Sequence, residues 1–295
     1  MDGVLVIDKP ADLTSHDVVA AARRALRERR IGHTGTLDPM ATGVLPLACG
    51  RATRLVRFLT ASDKDYEATV EFGRTTDSHD ATGNETSRSD RRPEAAAVEA
   101  AVASLTGSYL QRPPAYSAKK VGGQRAYALA RRDETVELTP VPVTVSRATI
   151  VAFDGESARI SLTSSAGFYV RSFAAALGDL VGTGACLASL RRTRSGDFTL
   201  ADATPLAAMV GAAASAFEAL IPIDRLLPRF PLARVSDEDR LRVTRGQDIN
   251  GGPLERPGVD DASTWVRLID GDGHLLALAT PGPRPGSLHP AVVLI

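Results

Sequence analysis

The alternation of apolar and polar residues predicts a chain of short strands and amphipathic helices. Residues 3–7 form an apolar run of strand length, and residues 64–72 carry apolar side chains at every second position. Between these segments, Thr14 and Ser15 are typical helix caps. The buried face of the helix that they begin is predicted to consist of Val18, Val19, Ala22 and Leu26.

The same patterns predict the remaining elements. Helices are expected over residues 94–105, 172–181 and 205–220, the second with Phe173, Leu177 and Leu180 on one face, and strands over 135–145, 147–153 and 158–164. The polar segment 77–92 is predicted to be a mobile loop, and residues 125–132 to be helical. After a proline-bearing boundary at 226–231, short strands at 265–269, 275–279 and 291–294 predict a small β-barrel. Together these elements predict a two-domain α+β protein.

Composition places the chain among soluble globular proteins. It has 295 residues, of which 43% are hydrophobic and 24% charged. We expect a cytoplasmic protein without a membrane segment, because no apolar run is long enough to span a bilayer and the first residues lack the pattern of a signal peptide. Cys49 and Cys186 lie in apolar surroundings without CxxC spacing, which indicates buried, reduced thiols.

The charge balance is neutral, but its distribution is uneven. Lysine plus arginine equals aspartate plus glutamate at 35 each. Basic residues nevertheless cluster in residues 112–132, which contain no acidic residue, and at Arg51, Arg54, Arg57, Arg191, Arg192 and Arg194. These clusters indicate either a local anion-binding face or ordinary solvated charge, and for any single cluster the two interpretations have equal weight.

The segment 32–43 is the strongest candidate for chemistry. Pro39 disfavours the helical conformation at Asp38, and the surrounding glycines and threonines make a loop. By itself Asp38 could simply begin a turn. Candidate partners elsewhere are His33, Tyr66 and Arg171, and an arginine beside a partly buried aspartate favours its ionised form.

Two other kinds of site are not supported. The pairs His16-Asp17 and His79-Asp80 are better explained by a helix cap and a polar loop, and no HxxxH or HExxH pattern occurs, so no metal site is predicted. The segment 32–43 also lacks the Gly-Lys-Ser/Thr ending of a phosphate-binding loop.

Five motifs together resemble the bacterial TruB-type tRNA pseudouridine synthases. They are GVLVIDKP at 3–10 with TSHD at 14–17, GHTGTLDPMATG at 32–43, RPPAYSAKKVGG at 112–123, GFYVR at 167–171 and LRR at 190–192. Asp12 stands where the family usually has Gly, and Arg54 where Lys is common. The resemblance covers about residues 3–230, and the rest of the chain only faintly resembles an RNA-binding barrel of the PUA type.

The resemblance implies a role for each matching residue. The catalytic residues would be Asp38, Tyr66 and Arg171. The uridine-binding residues would be His33, Tyr66, Tyr169 and Leu190, and the RNA-facing residues Lys9, Arg54, Lys120, Arg125 and Arg191. No metal or cofactor is implied.

The implied fold has a mixed-sheet catalytic domain at 1–230, a thumb-like RNA-binding insertion at 107–145 and a PUA-like domain at 231–295. The implied activity is isomerisation of uridine 55 in the tRNA T-arm to pseudouridine, by base flipping and with an aspartate as nucleophile or base. The partner would be tRNA alone, bound by a monomer without an obligatory protein partner.

Two alternatives remain open. The chain could be a non-catalytic RNA-binding protein or RNA chaperone. It could also be an archaeal- or eukaryotic-type synthase that works inside a guide-RNA particle, although the basic segment 112–132 resembles the bacterial thumb and argues against that interpretation.

Overall fold

The computed structural model of the chain describes residues 1–116, 120–121, 124–125, 138–211, 217–255 and 264–295, the two short pairs by their backbone only. Its strands are β1 (Gly3–Lys9), β2 (Ile31–His33), β3 (Thr42–Cys49), β4 (Lys64–Phe72), β5 (Arg74–Thr76), β6 (Glu85–Arg88), β7 (Gly107–Gln111), β8 (Lys120–Val121), β9 (Gln124–Arg125), β10 (Val141–Phe153), β11 (Ser157–Ser164), β12 (Ala185–Ser195), β13 (Phe198–Thr199), β14 (Thr204–Pro205), β15 (Ile221–Pro222), β16 (Leu232–Arg234), β17 (Ile249–Asn250), β18 (Val266–Ile269), β19 (Leu275–Pro281) and β20 (Ser287–Val293). Its helices are α1 (Ser15–Leu26), α2 (Val56–Thr60), α3 (Ala95–Ser104), α4 (Val170–Leu180), α5 (Leu206–Gly211) and α6 (Asp237–Thr244), and short 3-10 turns cover Gly50–Leu55, Leu200–Asp202 and Ile223–Arg225.

The core of the molecule is a mixed sheet, which confirms the predicted α+β class. Its strands run in the order β14-β1-β3-β12-β4-β11-β10-β7. Strand β12 is parallel to β3 on one side and antiparallel to β4 on the other. The strand that follows the Asp38 loop and the strand that carries Tyr66 are therefore joined by one shared neighbour.

A glycine allows β3 and β12 to approach closely. Gly43 has φ of +99°, and a Cβ atom built on it would lie 2.2 Å from the carbonyl oxygen of Arg192. A larger residue at position 43 would meet both backbone strain and a steric clash. The glycine at the end of the predicted loop is thus required by the sheet.

Helices α1 and α4 pack their apolar faces on one main core. Thr14 caps α1 in a reciprocal pair with Asp17, and all four apolar residues predicted for its inner face are buried. In α4, Phe173 and Leu177 are buried. Leu180, predicted on the same face, is 57% exposed because it lies in the last turn, beyond the core cluster.

Four segments differ from the sequence-based prediction. Residues 85–88, predicted as part of a mobile loop, pair as β6 with β5. The two strands predicted within 135–153 are one strand from Val141 onward, and a shift of register in the sheet near residue 146 replaces the expected break. Arg125, expected in a helix, lies in a strand that pairs with β8, and the rest of that predicted helix lies outside the described residues. Of the helix predicted over 205–220, residues 206–211 and 217–218 are helical, residue 205 belongs to β14, and the last two residues are not helical. Residues 212–216 lie outside the described part of the chain.

The C-terminal part forms a five-stranded sheet in the order β16-β18-β19-β20-β17. The strands predicted at 265–269, 275–279 and 291–294 correspond to β18, β19 and β20. Strand β18 begins one residue later than predicted, and β20 begins four residues earlier and ends one residue earlier. A second apolar cluster joins this sheet to the central one: Val44 and Leu55 pack in the same cluster as Leu275 and Leu278. Among the described helices, none is long and apolar enough to cross a membrane.

Candidate active site

The Asp38 loop connects β2 to β3, and buried side chains form hydrogen bonds with its backbone. The Ser15 hydroxyl accepts a hydrogen bond from the Leu37 amide at 2.8 Å and donates to the Leu37 carbonyl at 3.1 Å. The Lys9 ammonium donates to the Pro39 carbonyl at 3.0 Å. The two residues that flank Asp38 are thereby fixed, while the Asp38 side chain remains 29% exposed.

Arg171, in the first turn of α4, binds the Asp38 carboxylate with both ends of its guanidinium. Its Nε lies 2.8 Å from Asp38 Oδ2 and its Nη2 lies 2.9 Å from Oδ1. Its other hydrogen bonds go to backbone carbonyls, with Nη1 3.0 Å from that of Ser78 and Nη2 2.9 Å from that of Tyr116. Arg171 is 5% exposed, so this bidentate pair orients one carboxylate without rotational freedom.

A second carboxylate, missed by the sequence analysis, lies on the same guanidinium. Asp80 Oδ2 is 3.7 Å from Arg171 Nε and the Asp80 side chain is 6% exposed. Its other oxygen accepts from the Ser78 hydroxyl at 2.8 Å and the Thr82 hydroxyl at 2.6 Å. The segment that the polarity pattern assigned to a mobile loop therefore reaches the centre of the site.

Tyr66 lies on the inward face of β4, opposite Arg192 of β12. Its side chain is buried, at 8% exposure. Burial raises the pKa of Tyr66, and the charge and hydrogen bonding of Arg192 oppose that rise. Arg192 is 1% exposed, so the prediction that it belongs to a basic surface cluster is wrong.

His33 ends β2 beside the Asp38 loop. Its ring packs edge to face on His16, with 5.2 Å between the ring centroids. Burial, with the charges of His16 and Arg192, lowers the pKa of His33 to about 4. The imidazole is therefore neutral at physiological pH.

The two remaining uridine-pocket candidates lie on elements next to Arg171 and Tyr66. Leu190 is buried on β12. Tyr169 directly precedes α4, and its backbone amide and carbonyl are both bound by the side chain of Gln111, at 2.8 Å and 3.0 Å. Gln111 was not predicted; no local pattern signals it, because its partner is 58 residues away in the chain.

The RNA-facing candidates fall into three groups. Lys9 is fully buried and its ammonium binds the carbonyls of Pro10, Leu13 and Pro39, so the expectation that it faces RNA is wrong. Arg54 is exposed, with one guanidinium nitrogen on the Val293 carbonyl. Arg191 is 37% exposed and pairs with Asp8 at 2.8 Å. Lys120 and Arg125 lie in the paired strands β8 and β9, and their side chains lie outside the described part of the chain.

The departure at position 12 is accommodated by the backbone. Asp12 has φ of +65°, the left-handed conformation that glycine adopts most readily and aspartate tolerates better than most residues. Its amide donates to the Pro39 carbonyl at 2.9 Å. The turn that supports the Asp38 loop is therefore formed despite the substitution.

The arrangement suits a carboxylate that reacts while bound to a guanidinium. Asp38 is partly open to solvent, and its partner Arg171 is buried. A carboxylate held in this way can act as nucleophile or as base without losing its orientation. Tyr66, His33, Tyr169 and Leu190 offer aromatic and apolar surface on neighbouring elements.

Comparison with known proteins matches the chain to one family. Residues 23–170 match the N-terminal domain model of the TruB family pseudouridylate synthases. The chain is 43% identical to tRNA pseudouridine synthase B of Solibacter usitatus, with 100% of both chains covered. It is 42% identical to the protein of the same name from Thermobifida fusca, over 99% of this chain and 98% of that one.

Solved structures share the fold. The chain resembles one in a Cbf5-Nop10-Gar1 complex with a TM-score of 0.77 at 24% identity, over 99% of this chain and 85% of that one. It resembles one in an H/ACA RNP bound to a substrate RNA containing 2′-deoxyuridine with a TM-score of 0.76 at 23% identity, over the same shares. From its family match and its full-length relatives, this chain belongs to the TruB family of pseudouridylate synthases.

Proposed function

We propose that this protein converts uridine 55 in the T-arm of tRNA to pseudouridine, with Asp38 as the reacting carboxylate. The observation that carries the proposal is the bidentate pair of Asp38 and Arg171 in a chain 43% identical along its whole length to a tRNA pseudouridine synthase B. Identity to the chains in the H/ACA complexes is lower, at 23% and 24%, which favours a stand-alone enzyme.

The reaction needs no net oxidation or reduction. The N1–C1′ bond breaks, the uracil turns, and C5 bonds to C1′; C5 then loses its proton and N1 gains one. Asp38 supports this sequence as a nucleophile or as a base, and both routes use the same ionised carboxylate. Arg171 keeps the carboxylate aimed at the substrate, and Asp80 lies 3.7 Å from the same Nε that binds Asp38.

The target nucleoside must leave the folded T-loop before it can react. Extrusion of a base costs a few kcal/mol, and stacking on an aromatic side chain returns about 1–3 kcal/mol. We assign the stacking to Tyr66, which is also the candidate for removal of the C5 proton. Tyr169 and Leu190 would line the pocket, and neutral His33 would hold the flipped loop.

The outer parts of the chain would bind the rest of the arm. We propose that residues 107–145 form a thumb-like insertion on a catalytic domain of residues 1–230, and that 231–295 form a PUA-like domain. Lys120, Arg125, Arg54 and Arg191 would contact phosphates, so recognition would follow the shape of the arm more than its sequence. We propose that a monomer acts on tRNA without a cofactor or a protein partner.

The direct test is to map pseudouridine in an unmodified tRNA transcript after incubation with purified protein. We expect pseudouridine at position 55 with the wild type, none with Asp38→Asn, and little change in tRNA affinity, because the variant keeps the size of the side chain but loses its charge. Asp90→Asn, at an exposed position, is the matched control and should keep wild-type turnover. Turnover by Asp38→Asn at the wild-type rate would exclude Asp38 as the reacting group.

A further inference from the structure

Arg192 is a buried cation next to the Asp38 loop. It lies on β12, between β3 and β4, and its side chain is 1% exposed. Its Nε donates to the Val44 carbonyl at 2.7 Å. Its Nη2 and Nη1 donate to the carbonyls of Gly35 at 3.1 Å and Thr36 at 3.4 Å. Arg192 therefore binds the Asp38 loop two and three residues before Asp38, and strand β3 six residues after it.

The Arg192 side chain also lies beside Tyr66, the proposed acceptor of the C5 proton. Tyr66 is the cross-strand partner of Arg192, and the guanidinium lies close enough to the phenol to oppose the rise of its pKa on burial. One guanidinium thus contacts the loop that carries the carboxylate and the strand that carries the phenol.

Burial of the Arg192 charge costs desolvation free energy, so the side chain is expected to have a role that an apolar residue could not fill. Its guanidinium donates to three neutral backbone carbonyls. Burial lowers the pKa of Arg192, and the phenol of Tyr66 opposes that fall. An apolar residue of similar size would avoid the desolvation of a charge. What the cation adds is a fixed positive potential at Tyr66 and a rigid frame for the loop.

The charge environment of the pair is mixed. Asp38 and Asp65 face Tyr66, and Lys9, His33 and Lys64 face Arg192. A tyrosine that takes the C5 proton begins as the phenolate and ends as the phenol. Burial disfavours the phenolate most, the two carboxylates add to that effect, and the Arg192 cation opposes it.

We propose that Arg192 is a positioning residue for pseudouridine formation, which holds the Asp38 loop and the Tyr66 phenol in one frame and supplies the positive charge that favours the phenolate. The proposal rests on the proposed function. It predicts that the chemical step, and not tRNA binding, depends on Arg192, because the side chain is buried beneath the site and does not reach the surface.

Two variants separate geometry from charge. Arg192→Lys keeps the charge but has one nitrogen in place of three, and Arg192→Gln removes the charge. Arg159→Gln, at an exposed arginine on β11, is the matched control. Each is measured for melting temperature, tRNA affinity and single-turnover rate from about pH 6 to about pH 10.

We expect Arg192→Gln to bind tRNA within about threefold of wild type and to react about 100-fold more slowly. The rise of its rate with increasing pH should move to higher pH, because Tyr66 loses the cation that favours its phenolate. Arg192→Lys should be about 10-fold slower, with the wild-type pH profile. In a Tyr66→Phe background, Arg192→Gln should move no pH dependence, because the group that titrates is gone.

Each contrary outcome is distinct. If the wild type forms no pseudouridine at position 55, the proposed function fails and Arg192 is not the cause. If the wild type is active and both Arg192 variants react within about threefold of it, or lose tRNA affinity in step with rate, the positioning role is wrong. If Arg192→Gln does not fold, Arg192→Lys decides: a wild-type rate overturns the proposal, and a reduced rate with unchanged melting temperature and affinity supports it.

Discussion

At the scale of single residues, the site is built on buried cations that bind backbone oxygens. Lys9, Lys64 and Arg192 are each at most 5% exposed. Lys9 binds three carbonyls, Lys64 those of Thr60 and Ser62, and Arg192 three more. A loop whose carbonyls are held by charged donors is preorganised, because charge-assisted hydrogen bonds are stronger than neutral ones. Lys9 and Arg192 thus place Asp38 before substrate arrives, and Lys64 fixes the turn before the strand that carries Tyr66.

Burial of His33 lowers the free energy of unfolding at acidic pH. Its pKa is about 4 in the folded chain, against an ordinary 6.5. Between these values the unfolded chain binds the proton and the folded chain does not, so stability falls as the pH falls. We expect the free energy of unfolding to drop by roughly 2 kcal/mol more between pH 7 and pH 5 in the wild type than in His33→Asn. Urea unfolding at both pH values measures the difference, and His274→Asn, at an exposed histidine, is the control. Equal pH slopes in the wild type and His33→Asn would contradict this prediction.

The sequence predicted Asp38 and Arg171 as site residues, but not Asp80 and Arg192, whose burial depends on tertiary contacts. Asp38 is visible in the sequence because a glycine-framed Asp-Pro segment stands out locally, and Arg171 because a motif surrounds it. Asp80 and Arg192 are not visible, since both look like surface residues of polar or basic segments. Their burial follows from tertiary contacts with Arg171 and with the Asp38 loop, which no local pattern encodes.

At the scale of elements, the start of the proposed insertion is bonded to helix α4. Gln111 binds the backbone of Tyr169, the Ser172 hydroxyl donates to the Arg112 carbonyl at 2.8 Å, and Arg171 binds the Tyr116 carbonyl. Three successive contacts thus link the end of β7 and the residues after it to the turn that presents Arg171. Sequence periodicity predicted the start of α4 to within two residues. It could not predict that the end of β7 is hydrogen-bonded to the residue before this helix.

Gln111 allows this link to be tested. Gln111→Leu would remove the side-chain oxygen that accepts from the Tyr169 amide, while the Tyr169 carbonyl keeps its hydrogen bond from the Phe173 amide. Loss of a hydrogen-bond partner for a buried group costs about 1–3 kcal/mol. We expect the free energy of unfolding to fall by about 2 kcal/mol and the single-turnover rate by about 10-fold, as Tyr169 and Arg171 lose their fixed placement.

The matched control is Leu110→Ala on the same strand, where the side chain is 70% exposed; it should change neither quantity. Gln111→Glu keeps the acceptor for the Tyr169 amide and should fall between the wild type and Gln111→Leu. A full rate in Gln111→Leu, with only stability reduced, would show that the contact supports the fold and not the site.

At the scale of the whole molecule, the two sheets share apolar surface. Val4, Val44 and Leu59 from the central part pack in one cluster with Ile269 and Leu294 from the C-terminal part. The Asp224 carboxylate also accepts from the Leu275 amide at 2.7 Å. Alternating strands in the sequence predicted the C-terminal β structure, but the apolar pattern does not tell which face of a strand packs on a distant sheet. Residues on both sides of the proposed boundary at 230 therefore stabilise each other.

Shared packing predicts that the protein unfolds in one transition. Its single tryptophan, Trp265, lies against Phe58 at 4.8 Å between ring centroids and beneath the Arg57 guanidinium at 4.8 Å, so its fluorescence reports the contact between the two sheets. If the sheets separate only when the chain unfolds, fluorescence and far-UV circular dichroism will give the same midpoint in urea. Phe58→Ala removes an aromatic ring from the contact and should lower the free energy of unfolding by about 3 kcal/mol. Both urea midpoints should fall together. A fluorescence transition that precedes the circular dichroism transition would mean that the C-terminal sheet detaches first, and that its contact with the central sheet is weaker than the buried apolar surface indicates.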